Sequence, residues 1–449
     1  MLLSNYYYLL CLLIVVSCNA LQAQTWTWEM YKNALNNHPL LQIQQNNIQQ
    51  AQQEIQQAKA AFDPTIGYDL NAKYYNDKAY FLHQQATASL ATNSPVELKT
   101  GYNNSDGVFL NPENITPNIG VLNIGASIDI LQGFITDKRR TYLNTSKQEL
   151  NNTENERLLA INKMKLEAYK AYNYWYYAYQ AMKAQDSIYT AATARQVWIK
   201  QAVKIGEYAA IDTLEGSILV QDRLNSYYNA LYEERNARLL VGSFLWNSKQ
   251  EPVLLNPTAI PTQLIIPNNN SSSVINPLLQ KYSIKESLLN IELKLKKEYL
   301  KPKLKLNYAW LYSPNYSPDI KDSKWSINFS YPIFTRAAKA EVEQYKLKLK
   351  NNDLEAQLKA NEIRIVIENL VQELAILQQQ QSINTKNINN TIRLLNLEIE
   401  KYQLGEGSVF LVNSREIKLI EYIFKKYQLL SKINKNKLEQ LYYTTPESL

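Results

Sequence analysis

Four short stretches of this chain alternate apolar and polar positions, and the long stretches between them repeat apolar positions at helical spacing. Ile66, Tyr68, Leu70, Ala72 and Tyr74 alternate with Gly67, Asp69, Asn71 and Lys73; Leu122, Ile124, Ala126, Ile128 and Ile130 alternate with Asn123, Gly125, Ser127 and Asp129. Leu304, Leu306, Tyr308, Trp310 and Tyr312 alternate with mostly polar neighbours, and so do Trp325, Ile327, Phe329, Tyr331 and Ile333. This spacing predicts four strands, each with one apolar and one hydrophilic face and each about 9–11 residues long, the length a tilted strand needs to cross a bilayer. They fall in two pairs, within residues 65–134 and 303–333, with a long polar loop at residues 76–118 and a short one near residues 313–322.

Between Gly133 and Gly206, and again between Pro332 and Gly405, the chain has neither Gly nor Pro. Each interval is about 70 residues and would run for about 100 Å as continuous helix. The second interval carries heptad spacing in Ile363, Ile367, Leu370, Leu374 and Leu377, and again in Ile388, Ile392, Leu395, Ile399 and Tyr402. In the first, Tyr169, Tyr172, Tyr176 and Tyr179 follow the same rhythm and are read as helix packing. Gly206 and Gly405 stand where a left-handed turn would reverse the chain. The helical pattern resumes near Asp212 and near Val412, which predicts two long helical hairpins, at residues 136–246 and 334–443.

The two halves are related. His38-Pro39-Leu40-Leu41-Gln42 returns as Asn276-Pro277-Leu278-Leu279-Gln280, and Asp63-Pro64 as Lys301-Pro302, at one constant offset. Proline fits the start of a helix and disfavours its continuation, so Pro39, Pro64, Pro277 and Pro302 mark the same helix twice. The first repeat spans residues 24–248 and the second residues 275–443. A Pro- and Asn-rich connector at residues 249–274 divides them, and residues 444–449 form a tail.

Composition narrows the picture. Only 11 Gly and 15 Pro in 449 residues imply long uninterrupted elements. The first 23 residues are uncharged, with an apolar run at residues 9–16, and read as a signal peptide cleaved after Ala23. Val15-Val16-Ser17-Cys18 also resembles a lipoprotein box, in which Cys18 would be acylated. Both cysteines lie in this leader, so a thiolate metal site is not expected in the mature chain. The net charge of +7 is spread out, and the lysine-dense stretch at residues 294–305 reads as solvated surface, not as a nucleic-acid site. With His38 and His83 the only histidines, neither a catalytic triad nor a His-based metal site can be assembled, and no enzyme activity, cofactor or metal is expected.

An exported chain with bilayer-length amphipathic strands points to an outer-membrane barrel. Open sheet edges cannot sit in lipid and the smallest barrels have about eight strands, so four strands must be completed by further copies. Asp69, Asn71, Lys73, Asn123, Asp129, Asn307 and Asn328 would then face an aqueous lumen, and the long helices would extend it as a coiled-coil tube. The order of Ala34-Leu35-Asn36-Asn37-His38-Pro39-Leu40, Asp63-Pro64, Leu131-Gln132-Gly133-Phe134 and the two Gly turns resembles the TolC-like outer membrane efflux proteins of Gram-negative bacteria. The resemblance implies a mainly α fold with a small membrane β-barrel portion: four strands per chain, a shared twelve-stranded barrel in a homotrimer, and a belt formed by the connector and the C-terminal segment. It further implies a passive exit duct in efflux or type I secretion, with a periplasmic adaptor and an inner-membrane RND or ABC-type pump as partners. It also implies a gate at the helix tips, where Asp212 matches an acidic family position and could pair with Arg415 or Lys401, beside Gly206 and Gly405. Asp212 reads equally as a helix cap. The alternative from another class is a periplasmic coiled-coil scaffold or adaptor that does not span the membrane.

Overall fold

The computed structural model describes residues 25–206, 209–264, 266, 276–314, 319, 322–404 and 406–444. The leader, with its cleavage site and Cys18, lies outside these residues, as do Gly405, the connector's Asn/Ser run and the tail beyond residue 444. In chain order the elements are β1 (Thr25–Trp26), α1 (Trp28–Ala34), α2 (Pro39–Lys59), β2 (Thr65–Tyr75), β3 (Lys78–Ala91), β4 (Val96–Asp106), β5 (Val121–Asp129), α3 (Lys138–Lys204) and α4 (Ala210–Gly242). They continue with β6 (Ile260–Pro261), α5 (Pro277–Glu298), β7 (Lys303–Tyr312), β8 (Ser323–Ser330), α6 (Arg336–Gln403) and α7 (Val409–Thr444). The duplicated prolines do what their chemistry dictates. Pro39 and Pro277 open α2 and α5, and Pro64 and Pro302 stand immediately before β2 and β7.

The chain divides into two compact units. The first comprises Met1–Gln44, Leu158–Asn276 and Asn361–Leu449. Its core is aromatic: Trp28, Tyr31, Tyr169, Tyr172 and Trp175 are buried together, with Tyr31 stacked on Tyr172 and Trp28 edge-on to Tyr169 at 4.6 Å. Each buried hydroxyl needs a partner. Tyr31 donates to the Ala168 carbonyl and Tyr172 to those of Trp26 and Thr262. Burial pushes the Tyr31 hydroxyl well above its ordinary pKa. The helix-packing reading of Tyr169 and Tyr172 therefore holds. The connector is not merely a spacer: β6 pairs in parallel with β1, and Leu255, Ala259 and Leu264 join the same core.

Buried asparagines tie the long helices of this unit together. The Asn173 amide donates to the Ser431 carbonyl, that of Asn384 to the Tyr422 carbonyl, and that of Asn436 to Leu370 at 3.0 Å and to the Glu373 carboxylate at 2.8 Å. In α6, Ile363, Leu370, Leu377, Asn384 and Thr391 are buried at seven-residue intervals, so the hydrophobic heptad continues as polar residues toward the helix end. Ile392, expected in the seam, is exposed. Replacing Asn436 by Ala is expected to cost about 1–3 kcal/mol, because an amide that bridges a carbonyl and a carboxylate is lost from a buried site. Thermal unfolding of the purified protein measures this, with Gln440→Ala, whose amide also donates to Leu370 and accepts no part of the Glu373 contact, expected to cost less.

The second unit comprises Gln45–Arg157 and Pro277–Ala360. It holds one antiparallel sheet of order β2-β3-β4-β5-β7-β8. The four expected strands are all present. The loop expected at residues 76–118, however, is largely two further strands, β3 and β4, so the sheet has six strands and not four. Their alternation is hidden because Ala, Thr, Ser, Gln and Asn fill both faces, and only pairing with β2 and β5 reveals which face is which. At the strand-to-helix return, Gly133 adopts φ +92° and its N–H donates to the buried Glu298 carboxylate. Arg140 donates to the carbonyls of Gly133, Phe134 and Ile135, fixing the exit from β5 into α3. The α4 helix ends at Gly242, short of the expected Trp246.

Candidate functional site: the polar sheet face and the helix-tip junction

Pairing register assigns every side chain of the sheet to a face, because residues directly opposite each other share one. Ile66 pairs with Ala88, Ala88 with Thr100, Thr100 with Ile124, Ile124 with Trp310 and Trp310 with Ser323. On this face lie Ile66, Tyr68, Leu70, Leu82, Leu90, Leu98, Tyr102, Leu122, Ile128, Leu306, Tyr308, Trp325, Ile327 and Phe329. In the single chain much of it is bare: Ile66 is 86% exposed and Trp325 69%.

The opposite face is hydrophilic. All seven residues expected at a lumen, Asp69, Asn71, Lys73, Asn123, Asp129, Asn307 and Asn328, lie on it together. The inserted strands add residues that sequence reading missed: His83, whose ring bonds the Ser105 hydroxyl at 2.7 Å, and Glu97 and Lys99. Glu97 meets Lys99, Lys305 and Ser127 at 3.3–3.4 Å, which links three strands. Asn307 donates to Ser326 across β7 and β8. Side chains are excluded at Gly125, where a Cβ would strike the Tyr308 carbonyl and the Ala309 backbone, so β5 and β7 approach closely there. The cations on this face, Lys73, Lys99, Lys303, Lys305 and Lys324, outnumber the carboxylates Asp69, Glu97 and Asp129.

The second candidate site is where α3, α4, α6 and α7 end or begin, in the first unit. Gly206 has φ +81°, the left-handed turn its position required. Asp212 is the third residue of α4 and accepts the Ala209 backbone N–H at 3.2 Å; it stabilises the helix start without being the cap residue itself. Arg415 is directed to Glu398 at 3.7 Å, so within one chain the expected pairing with Asp212 is not what holds it. Lys401 lies on the exposed last turn of α6. The stronger junction was not expected: Arg195 of α3 forks onto the Glu416 carboxylate of α7 and donates to the Asn413 side chain. Glu416 holds the Arg195 guanidinium above its ordinary pKa, while burial pushes that of Arg223 down against the opposing pull of Glu416. Ile199, Tyr402 and Val412 pack below these charges, and Gly216 leaves space that the Gln196 side chain occupies. These partners are over 200 residues apart in sequence, and no local pattern announces them.

Among the described residues no helix is long and apolar enough to cross a membrane, and no group of three or more His, Cys, Asp or Glu could hold a metal ion. No protein-family model matches the chain, and no curated protein matches it significantly. Solved structures do. The CmeC outer membrane channel of Campylobacter jejuni superposes with a TM-score of 0.64 at 13% identity, covering 92% of this chain and 85% of that one. The outer membrane protein VceC of Vibrio cholerae gives 0.63 at 12% identity, covering 92% and 94%. The open state of the MtrE outer membrane channel of Neisseria gonorrhoeae gives 0.58 at 13% identity, covering 92% and 89%. Long helical hairpins and a small amphipathic sheet, matched over nearly the whole chain, give this protein the fold of the TolC-like outer membrane channels that its sequence resembles.

Proposed function

We propose that the chain is the outer membrane channel of a tripartite efflux or type I secretion system, a passive trimeric duct whose cargo is chosen and driven elsewhere. The observation that carries this reading is the two-faced sheet: an apolar face that runs across all six strands and is largely bare, backed by a mainly polar one. In water such a face costs about 25 cal/mol per Å² of apolar area left exposed, and lipid removes that cost. Exposed Phe134 and Ile135 after β5, and Tyr331, Ile333 and Phe334 after β8, supply the aromatic belt expected at a membrane interface. Asp69, Asn71, Lys73, Asn123, Asp129, Asn307 and Asn328 then line the lumen.

Copies of the chain would also cover the apolar residues that a single chain leaves exposed on its long helices, such as Ile365, Ile376 and Ile383 of α6. The helix tips form the periplasmic gate, its candidate residues being Gly206, Gly405, Asp212, Lys401 and Arg415 together with the Arg195–Glu416 pair. A periplasmic adaptor and an inner-membrane pump complete the system. The leader directs export, whether processed after Ala23 or at Cys18, and the repeats at residues 24–248 and 275–443 are the two structural halves.

Membrane fractionation and planar bilayers test the proposal together. The protein is expected in the outer membrane fraction, and the purified protein to give discrete conductance steps, larger in Asp212→Ala than in the parent. Recovery as a soluble periplasmic protein would establish the scaffold alternative instead.

A further inference from the structure

We propose that each chain contributes six strands to the membrane wall, and that three copies close an eighteen-stranded barrel by pairing β8 of one copy with β2 of the next. This rests on the channel reading and adds the width of the pore to it. The twelve-stranded expectation assumed four strands per chain, and the sheet has six.

The inserted hairpin spans the full height of the sheet. Every residue of β2 has a partner in β3, from Thr65 opposite Ser89 to Tyr75 opposite Lys78, and the single irregularity, between Lys73 and Tyr74, passes over Tyr80 of β3. The β3–β4 turn lies at the end where β2 begins and β5 finishes, since the Asp129 N–H donates to the Pro95 carbonyl and the Thr92 hydroxyl to that of Val96. With 14 and 11 residues, β3 and β4 are as long as a tilted membrane strand must be. They also keep the faces consistent: Leu82, Ala86, Ala88 and Leu90 continue the apolar side, and Gln85, Thr87 and Ser89 the polar side. Polar residues interrupt the apolar side at Gln84, Thr100 and Asn104, with Gln84 and Asn104 set opposite each other within reach of a mutual hydrogen bond, and Asp106 stands at the end of β4, opposite Leu82.

Closure follows from the edges. An antiparallel sheet of six strands ends on strands of opposite direction, so β8 and the next copy's β2 meet antiparallel, as all the other neighbours do. Their unpaired backbone groups have no partner in lipid, and only the same chain repeated offers a complementary edge around the whole circumference. Strands about 4.8 Å apart and tilted by about 40° give a backbone diameter of about 36 Å for eighteen strands, against about 24 Å for twelve. The wall therefore encloses about twice the cross-section.

Cryo-electron microscopy of the detergent-purified full chain, with copy number from native mass spectrometry, decides the matter. Three copies, eighteen strands and a barrel about 36 Å across are expected. Disulfide-linked oligomers are expected from Asp69→Cys combined with Ser326→Cys, both on the polar face of the edge strands. Three copies around twelve strands, with residues 78–106 outside the wall, would overturn the proposal while leaving the channel intact. Two copies closing twelve strands would overturn the eighteen-stranded closure. A soluble protein without a barrel would instead remove the channel reading beneath it.

Discussion

Ile327→Arg is expected to abolish recovery of the protein from the outer membrane, whereas Asn328→Arg, one residue on, leaves it there. Both residues are central in β8, and the register sends them to opposite faces. Ile327 is exposed on the apolar face in line with Leu306, and Asn328 is on the polar face opposite Lys305. An Arg directed into the middle of a bilayer from a barrel strand costs about 2–4 kcal/mol. An assembly of three copies multiplies this to about 6–12 kcal/mol, of the order of the whole stability of an ordinary domain. The Asn328 variant places its charge in water beside Lys305, where it disturbs ion preference and not insertion. Fractionation followed by immunoblotting reads the contrast directly. Equal recovery of the two variants would contradict the assignment of the faces.

Glu416→Gln is expected to loosen the helix tips. The Arg195 and Glu416 side chains keep 22% and 18% exposure, and Arg223 beside them is buried with its Nε and one Nη free of partners in the single chain. Neutralising Glu416 leaves the two guanidinium groups repelling each other, with Asp222 beside Arg223 the remaining carboxylate acting on it. Breaking a fully buried pair costs about 3–5 kcal/mol, and the residual exposure lowers this to about 2–4 kcal/mol. Hydrogen exchange at the ends of α3 and α7 is expected to accelerate while the aromatic core around Tyr172 stays protected. Conductance in planar bilayers is expected to rise with it. The double variant Arg195→Met with Glu416→Leu should recover most of the stability, since apolar replacement of both partners removes the desolvation cost along with the attraction. Unchanged exchange in Glu416→Gln would show that the junction does not hold the tips.

Much of the architecture is local chemistry, and the sequence discloses it. Prolines at residues 39 and 277 start helices because their fixed φ and missing N–H suit the first turn. Gly206 reverses the chain because a left-handed backbone is easy for a residue without Cβ. The strands β2, β5, β7 and β8 show themselves through large apolar residues at every second position. Their polar positions, Asp69 to Asn328, gather on one face because period two allows nothing else once they pair.

What was not legible depends on partners distant in the chain. In β3, Ala86, Thr87, Ala88 and Ser89 carry no amphipathic contrast of their own, and only hydrogen bonding to β2 and β4 makes them a strand with two faces. Arg195 could have paired with any of several carboxylates on neighbouring helices; the packing of Ile199 against Tyr402 and Val412 brings Glu416 to it and sends Arg415 to Glu398. Backbone preferences and hydrophobic period act over a few residues and are written in the sequence. Strand pairing and the choice among charged partners are settled by proximity in three dimensions, and tertiary structure alone decided them.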